Sequence, residues 1–377
     1  MVGRREAQMR VLICGGGVIG TSIAYFLGQR GIEAVVIERT GIANAASGKS
    51  GGFLALDWCD GSPAEPLARR SFALHAELAE TIDDEWGYRR LDTLGVVASA
   101  RRDVASFRRL EGPGWLAQDA AVHRQLGTGE TTAQINPADF TKAMMRAAIG
   151  AGARLLMGSV TGLVFGKGGA VCGAIVDGQE VTGDAVVIAM GPWSVLASRW
   201  LPLPAIYGLK GHSVVFRYTP EPAPHALFVE LETATGDFAS PEVYPRPDGT
   251  TYVCGLSSEA PLPVDPAAVV PEEDGAARLR AMTAQVAPAL GDAEVLAEQA
   301  CYRPVVEDGV PLIGAVPGVD GAYVATAHSV WGMLNAPATG EAVAELIADG
   351  ASSTVDLTPF SPARLTPLPA DAVRTEV

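Results

Sequence analysis

The 377-residue sequence predicts an α/β protein, α+β taken as a whole, in which a parallel-sheet domain is interrupted by antiparallel insertions. Three observations predict it. Near the start, "RVLICGGGVIGTSIAYFLGQRGIEAVVIER" reads as strand, glycine turn, helix, strand, the order of a βαβ unit. From about Ala205 the texture changes to strands separated by proline-rich loops, which suits antiparallel sheet. At the end the earlier pattern returns, with strand "AYVATA" and helix "APATGEAVAELIADG". A chain this long exceeds one compact core, so two domains are expected. The first takes residues 9–86, 135–204 and 300–354, the second 87–134 and 205–299, and 355–377 form an irregular tail.

In the first helix, Ile19, Ile23, Phe26 and Leu27 share an apolar face, and Gly31 ends it. "AVVIE" is a short continuous apolar strand of the kind a parallel sheet buries on both faces. "PLARRSFALHAELAETIDDEWG" predicts an amphipathic helix from Pro66, and "LGVVASA" a strand, followed by charged helical or loop sequence to about Glu130. Asn136–Pro137 is a helix start, and that helix ends near Gly150. Short strands follow, with a hairpin signal at Asp177–Gly178, and "AVVIAMG" stops at Gly191. "GLKGHSVVFRY", "ALFVEL" and "EVYPRPDGTTYVCGL" are strands, and "AARLRAMTAQVAPAL" is a helix.

Composition narrows the partners. A net charge of −15 argues against nucleic acid or an anionic membrane surface. No apolar run approaches the roughly 20 residues of a membrane-spanning helix. The five scattered cysteines contain no C-x-x-C pair, which favours a reducing compartment, the cytoplasm, over a disulfide framework or zinc site. The opening "MVGRREAQMR" reads as a short polar tag; its Arg4–Arg5 lacks the uninterrupted apolar run and cleavage site of an export signal. No metal is expected.

Gly15, Gly17 and Gly20 form G-x-G-x-x-G between a strand and a helix. Gly15 permits the tight turn, Gly17 lets phosphate approach the backbone, and Gly20 lets the helix lie close to the sheet. A pyrophosphate then sits at the helix N-terminus, where free N–H groups and the dipole favour negative charge. Glu38 follows Gly20 by eighteen residues, at the end of the second strand, where a carboxylate accepts ribose hydroxyls. Val18, Ile19 and Arg39 complete the dinucleotide set. The fingerprint does not separate NAD from FAD. The next loop, with Ser47, Gly48, Lys49, Ser50, Gly51 and Gly52, can lay backbone amides against a long, flat cofactor.

Together these segments resemble the D-amino-acid oxidase family of FAD-dependent oxidoreductases, in its glycine oxidase and sarcosine oxidase branch. The resemblance runs from about residue 10 to 350 and rests on "ICGGGVIGTSIAYFLGQRG…VVIER", "AASGKSGGFLA", "VVIAMGPWS", "RPVVEDGVPLIG" and "YVATAHSVWGMLNAPATGEAVAELI". It implies a Rossmann-like FAD-binding domain and an antiparallel-sheet substrate domain, with the flavin ring at their boundary. It further implies contacts from Val160 near the adenine, from Gly191 and Trp193, and from Trp331, Gly332, Met333, Leu334 and Asn335, which lead into the last helix. Ala327 departs from the pattern, standing where the family has glycine before histidine.

The same resemblance gives "QACYRPVVEDGVPLIG" a role. In the glycine oxidase branch the position of Arg303 is an arginine that pairs with the substrate carboxylate, a task suited to a guanidinium fork. In the sarcosine oxidase branch the position of Cys301 is a cysteine bonded to the flavin. This chain carries both. Glu242 and Tyr244 share a strand face where the family places substrate contacts, with Glu242 a candidate partner for a substrate ammonium. Lys210 and His328 are further candidates near the ring, and His212 reads as structural. The expected reaction is FAD-dependent oxidation of an amine or amino acid, with O2 or another acceptor taking the electrons. The alternatives are an NAD(P)-dependent dehydrogenase and a FAD-holding protein with little turnover.

Overall fold

The computed structural model describes residues 9–218 and 224–373. Residues 1–8, 219–223 and 374–377 lie outside them. Helices are α1 (Val18–Gln29), α2 (Ala46–Lys49), α3 (Glu65–Thr81), α4 (Pro137–Gly150), α5 (Gly275–Val286), α6 (Pro288–Gly291) and α7 (Gly332–Asp349).

The strand Arg10–Cys14 sits inside a six-stranded sheet, between Ala185–Ile188 and Glu33–Glu38. Ala322–Thr326 and Arg154–Met157 extend it in parallel, and Leu312–Ala315 adds an antiparallel edge. Both faces are covered, as continuous apolar strands require: Val11 and Ile13 pack toward α1 and α7, Leu12 and Cys14 toward a separate apolar layer. The second sheet runs in the order Val295–Val305, Tyr207–Arg217, Thr250–Ser258, Glu242–Pro245, His225–Glu232, Asp92–Ser99, Ala121–Gly127.

Helix starts follow their caps. Asn136 accepts from Ala138 N and Asp139 N, with Pro137 in the first helical position; losing that cap costs about 1 kcal/mol. The hairpin at Asp177–Gly178 has both residues at positive φ, 48° and 80°, the tight turn that a right-twisted strand pair favours.

Four expectations change. The stretch before Glu130, read as helix or loop, contains the strand Ala121–Gly127, whose Ala121 and Val122 are buried against the sheet core. Its charged residues mask the alternation. The insertions are not wholly antiparallel, because His225–Glu232 and Asp92–Ser99 pair in parallel. A division at residue 300 cuts one continuous strand, Val295–Val305, paired throughout with Tyr207–Arg217. Finally, α7 begins at Gly332 and carries Pro337 inside it.

Residues 355–373 are irregular apart from short 3-10 turns, but Val355 and Phe360 are buried in the core, and Arg364 pairs with Asp308 at 2.7 Å. No helix among the described residues is long and apolar enough to cross a membrane.

Candidate active site

An elongated cavity of about 520 Å³ runs from the glycine turn to the larger sheet. At one end Gly15, at φ 117°, turns the chain from strand to helix. A Cβ there would overlap the Ala189 carbonyl, and one on Gly20 would overlap the Gly15 carbonyl, so both positions are closed to other residues. Gly17 is the N-cap of α1 and offers no side-chain cap. Ser47 Oγ accepts from Val18 N–H at 2.9 Å, tying the next loop to the helix start. The remaining N–H groups of that first turn have no intrahelical acceptor.

Glu38 lines this end. Its Oε1 accepts from Thr40 N, the Thr40 hydroxyl and Gly41 N, whereas Oε2 accepts from Gly16 N alone, at 2.7 Å. Oε2 therefore keeps room for a hydroxyl donor. Arg39 also lines the cavity and is tied outward to Asp265 at 3.5 Å. Val18, Ile19, Ser47, Ser50, Gly51, Val160, Gly191 and Trp193 line it as well. Trp193 is fixed by Nε1–H donating to Pro263 O at 2.8 Å.

The other end is one face of the larger sheet. Cys301 pairs with Gly211, and Gly211 with Ser257; Ser213 pairs with Cys254, and Cys254 with Glu242. All six line the cavity, as does Arg303. The Arg303 guanidinium donates to Ser257 Oγ at 2.6 Å, while its Nε has no partner. Glu242 Oε2 accepts from Tyr244 OH at 2.6 Å and from the Cys254 thiol at 3.4 Å. Burial raises the Cys254 thiol well above its usual value, and Glu242 raises it further. Burial also raises Cys301, against the opposing pull of Arg303 and Lys49. A neutral thiol faces the cavity at both positions.

His328, Gly332 and Met333 line the cavity where α7 begins. His328 Nε2 meets Thr339 Oγ1 at 3.0 Å, and burial pushes the ring down to about 3, so it is neutral. Flanking it, Ala327 and Ser329 have φ of 63° and 51°. The chain thus keeps the left-handed turn that glycine would favour, at roughly 1 kcal/mol per residue.

Several predicted residues stand behind the wall rather than in it. Tyr244 is buried and holds Glu242. Gly48 and Gly52 would clash with the Ala43 and Ile135 carbonyls if substituted. Lys49 binds Ala300 O at 3.2 Å through Nζ, and its own carbonyl accepts from Tyr252 OH, clamping the loop to the sheet. Trp331 packs edge-on against Trp58, Leu334 lies in the core, and Asn335 is buried with both amide atoms unpartnered. Lys210 shares the His212 side of its strand, near Glu272, and does not line the cavity. Gly211, Ser213, Tyr252, Cys254 and Ser257 line it without having been singled out; only strand register brings them together, and a single sequence does not display register.

The family model for FAD-dependent oxidoreductases, DAO, matches residues 10–346. The chain belongs to that family. Its relatives include a Schizosaccharomyces pombe protein whose name goes no further than oxidoreductase, 32% identical over 92% of this chain and 96% of that one. A glycine oxidase of Geobacillus kaustophilus is 30% identical, over 93% and 96%. The crystal structure of glycine oxidase from Geobacillus kaustophilus superposes with a TM-score of 0.76 at 25% identity, covering 95% of this chain and 99% of that one.

The protein is thus a FAD-dependent oxidoreductase, and the residues present fit FAD. The crowded glycine turn, the start of α1 where the N-cap Gly17 brings no side chain, and the open valence of Glu38 suit the adenosine diphosphate half. The cavity then continues past Gly191 to the sheet face and to the start of α7.

Proposed function

We propose that this protein oxidises the C–N bond of an amino acid or closely related amine, with Arg303 receiving the substrate carboxylate. The observation that carries the proposal is the state of Arg303. It lines the cavity, and among the described residues its one side-chain hydrogen bond goes to a hydroxyl and it makes no ion pair. A guanidinium left without a carboxylate in a cavity wall is suited to bind one from a ligand.

Glu242 supplies the opposite charge. Among the described residues no cation pairs with it, and both of its side-chain hydrogen bonds go to Oε2, so Oε1 is available to the cavity. One wall thus offers an anion and a cation, neither in an ion pair among the described residues. Folding alone gains little from such an arrangement, whereas a zwitterion meets both. Arg303 and Glu242 would hold the carboxylate and the nitrogen, fixing the α carbon between them.

The bound ammonium must first give a proton to water, leaving a neutral amine. FAD would then supply the acceptor for the hydride that leaves that carbon while the nitrogen lone pair forms the imine. The chain contributes orientation, exclusion of water by Trp193 and the sheet face, and the N–H groups at the start of α7, which favour negative charge. The imine product hydrolyses in water. We take O2 as the final acceptor, giving hydrogen peroxide, in keeping with the oxidase named among the relatives. The five free cysteines suit a cytoplasmic setting.

Oxygen uptake with matched peroxide release, measured across amino acids and their decarboxylated amines, tests the reading. Turnover confined to substrates bearing a carboxylate supports it. Equal turnover of the decarboxylated amines would remove Arg303 from its role.

A further inference from the structure

The first turn of α7 lines the cavity through Gly332 and Met333, yet Pro337 interrupts the helix just beyond it. Proline has no N–H, so the Met333 carbonyl, four residues earlier, loses its helical donor, and the ring crowds that carbonyl outward. An unpaired buried carbonyl is costly, and a helix broken there would leave its first turn free to fray.

Helix α3 fills the gap. His75 Nε2 lies 3.0 Å from Met333 O and 3.2 Å from Leu334 O. Two carbonyl acceptors require that nitrogen to carry the proton, so Nε2–H is a shared donor. Four residues earlier on the same face of α3, Ser71 Oγ accepts from Ala338 N–H at 3.1 Å. His75 is fully buried, packs against Phe140 with ring centroids 4.9 Å apart, and has no partner for Nδ1. Among the described residues its side chain's polar contacts are these two carbonyls.

We propose that His75 is a positioning residue for the flavin: it replaces the donor that Pro337 removes and so holds the cavity-lining turn of α7 in place. The residue touches neither substrate nor cofactor and acts through the backbone of Met333 and Leu334. The inference rests on FAD binding by this family and is independent of which substrate the enzyme takes.

The test uses holoenzyme, with FAD affinity and flavin midpoint potential as readouts, neither of which depends on turnover. His75→Leu should weaken FAD binding about ten-fold and make the potential more negative, because the N–H groups that favour the reduced, anionic ring are loosened. His75→Gln, which keeps an N–H donor, should recover most of both. Pro337→Ala restores a backbone donor to Met333 O, so in that background His75→Leu should change affinity by less than about two-fold. Unchanged affinity and potential in His75→Leu would overturn the proposal, as would equal shifts with and without Pro337. If His75→Leu does not fold, recovery of folded holoprotein by adding Pro337→Ala supports the proposal, and failure to recover contradicts it.

Discussion

The two ends of the cavity are built by different rules. At the nucleotide end, Gly15, Gly17, Gly20 and Glu38 lie within one βαβ unit, and their spacing follows from strand, turn and helix geometry. At the reaction end, Cys301, Gly211, Ser257, Cys254 and Glu242 come from four strands and meet only through sheet register. The first end is closed by backbone, with no space for a side chain at Gly15 or Gly20. The second carries the charges of Arg303 and Glu242, which form no ion pair among the described residues. One end suits a constant ligand, and the other can change its ligand by changing a few side chains.

Breaking the nucleotide end should have the largest effect. Gly15→Val forces a β-branched residue to φ 117° and into the Ala189 carbonyl. Gel-filtered protein should have lost its visible flavin absorbance altogether, or fail to fold; a variant that keeps a full complement of flavin would contradict the assignment of this turn.

The next effect is acid lability around α7. Burial holds His75 down to about 4 and His328 to about 3, below an unfolded value near 6.5. Between those values the unfolded chain binds protons that the folded chain refuses. Stability is therefore full above pH 6.5 and falls as pH drops, by on the order of 5 kcal/mol by pH 4. Melting temperatures measured from pH 7.5 to 4 should decline through this window, and His75→Gln should flatten the slope. A flat profile in the parent protein would mean that these rings are not held neutral.

Substitutions in the reaction end should separate chemistry from flavin binding. Arg303→Met should lower kcat/KM for a carboxylate-bearing substrate about 100-fold, since a lost charge-assisted contact is worth roughly 3 kcal/mol, while flavin content stays near that of the parent. Glu242→Gln should cost about ten-fold, mainly in KM. Parallel loss of flavin and activity in either variant would place these residues in cofactor retention instead.

The smallest effect concerns the turn before α7. Ala327→Gly relieves a positive φ but adds freedom to the unfolded chain, leaving a net gain of about 0.5 kcal/mol. Equilibrium unfolding resolves that difference, and a loss of stability would show that the Ala327 methyl packs usefully.

What could be read in advance divides along the same line. The βαβ start, the cap at Asn136 and the hairpin at Asp177–Gly178 were legible because each is set by residues within a few positions of one another. Arg303, Cys301 and Glu242 were reached by resemblance to a family, not by spacing. Their neighbours Tyr252, Cys254 and Ser257 were not reached, because cross-strand pairs such as Glu242–Cys254, Ser213–Cys254 and Gly211–Ser257 are set by sheet register and leave no local periodic signal. The misplaced start of α7 has a clear cause. Proline after "WGMLNA" reads as a helix beginning, and only the distant pair Ser71 and His75 makes an interior proline tolerable.

The central claim is that bound FAD serves to oxidise an amine anchored by Arg303 through its carboxylate. Anaerobic titration tests it most directly, following the visible flavin band of parent and Arg303→Met holoenzyme as an amino acid or its decarboxylated amine is added. The account predicts that a fitting amino acid bleaches the parent, that the matching amine does so poorly, and that Arg303→Met holds its flavin but is bleached only at far higher amino-acid concentration. Equal bleaching of parent and variant by the same amino acid would contradict it.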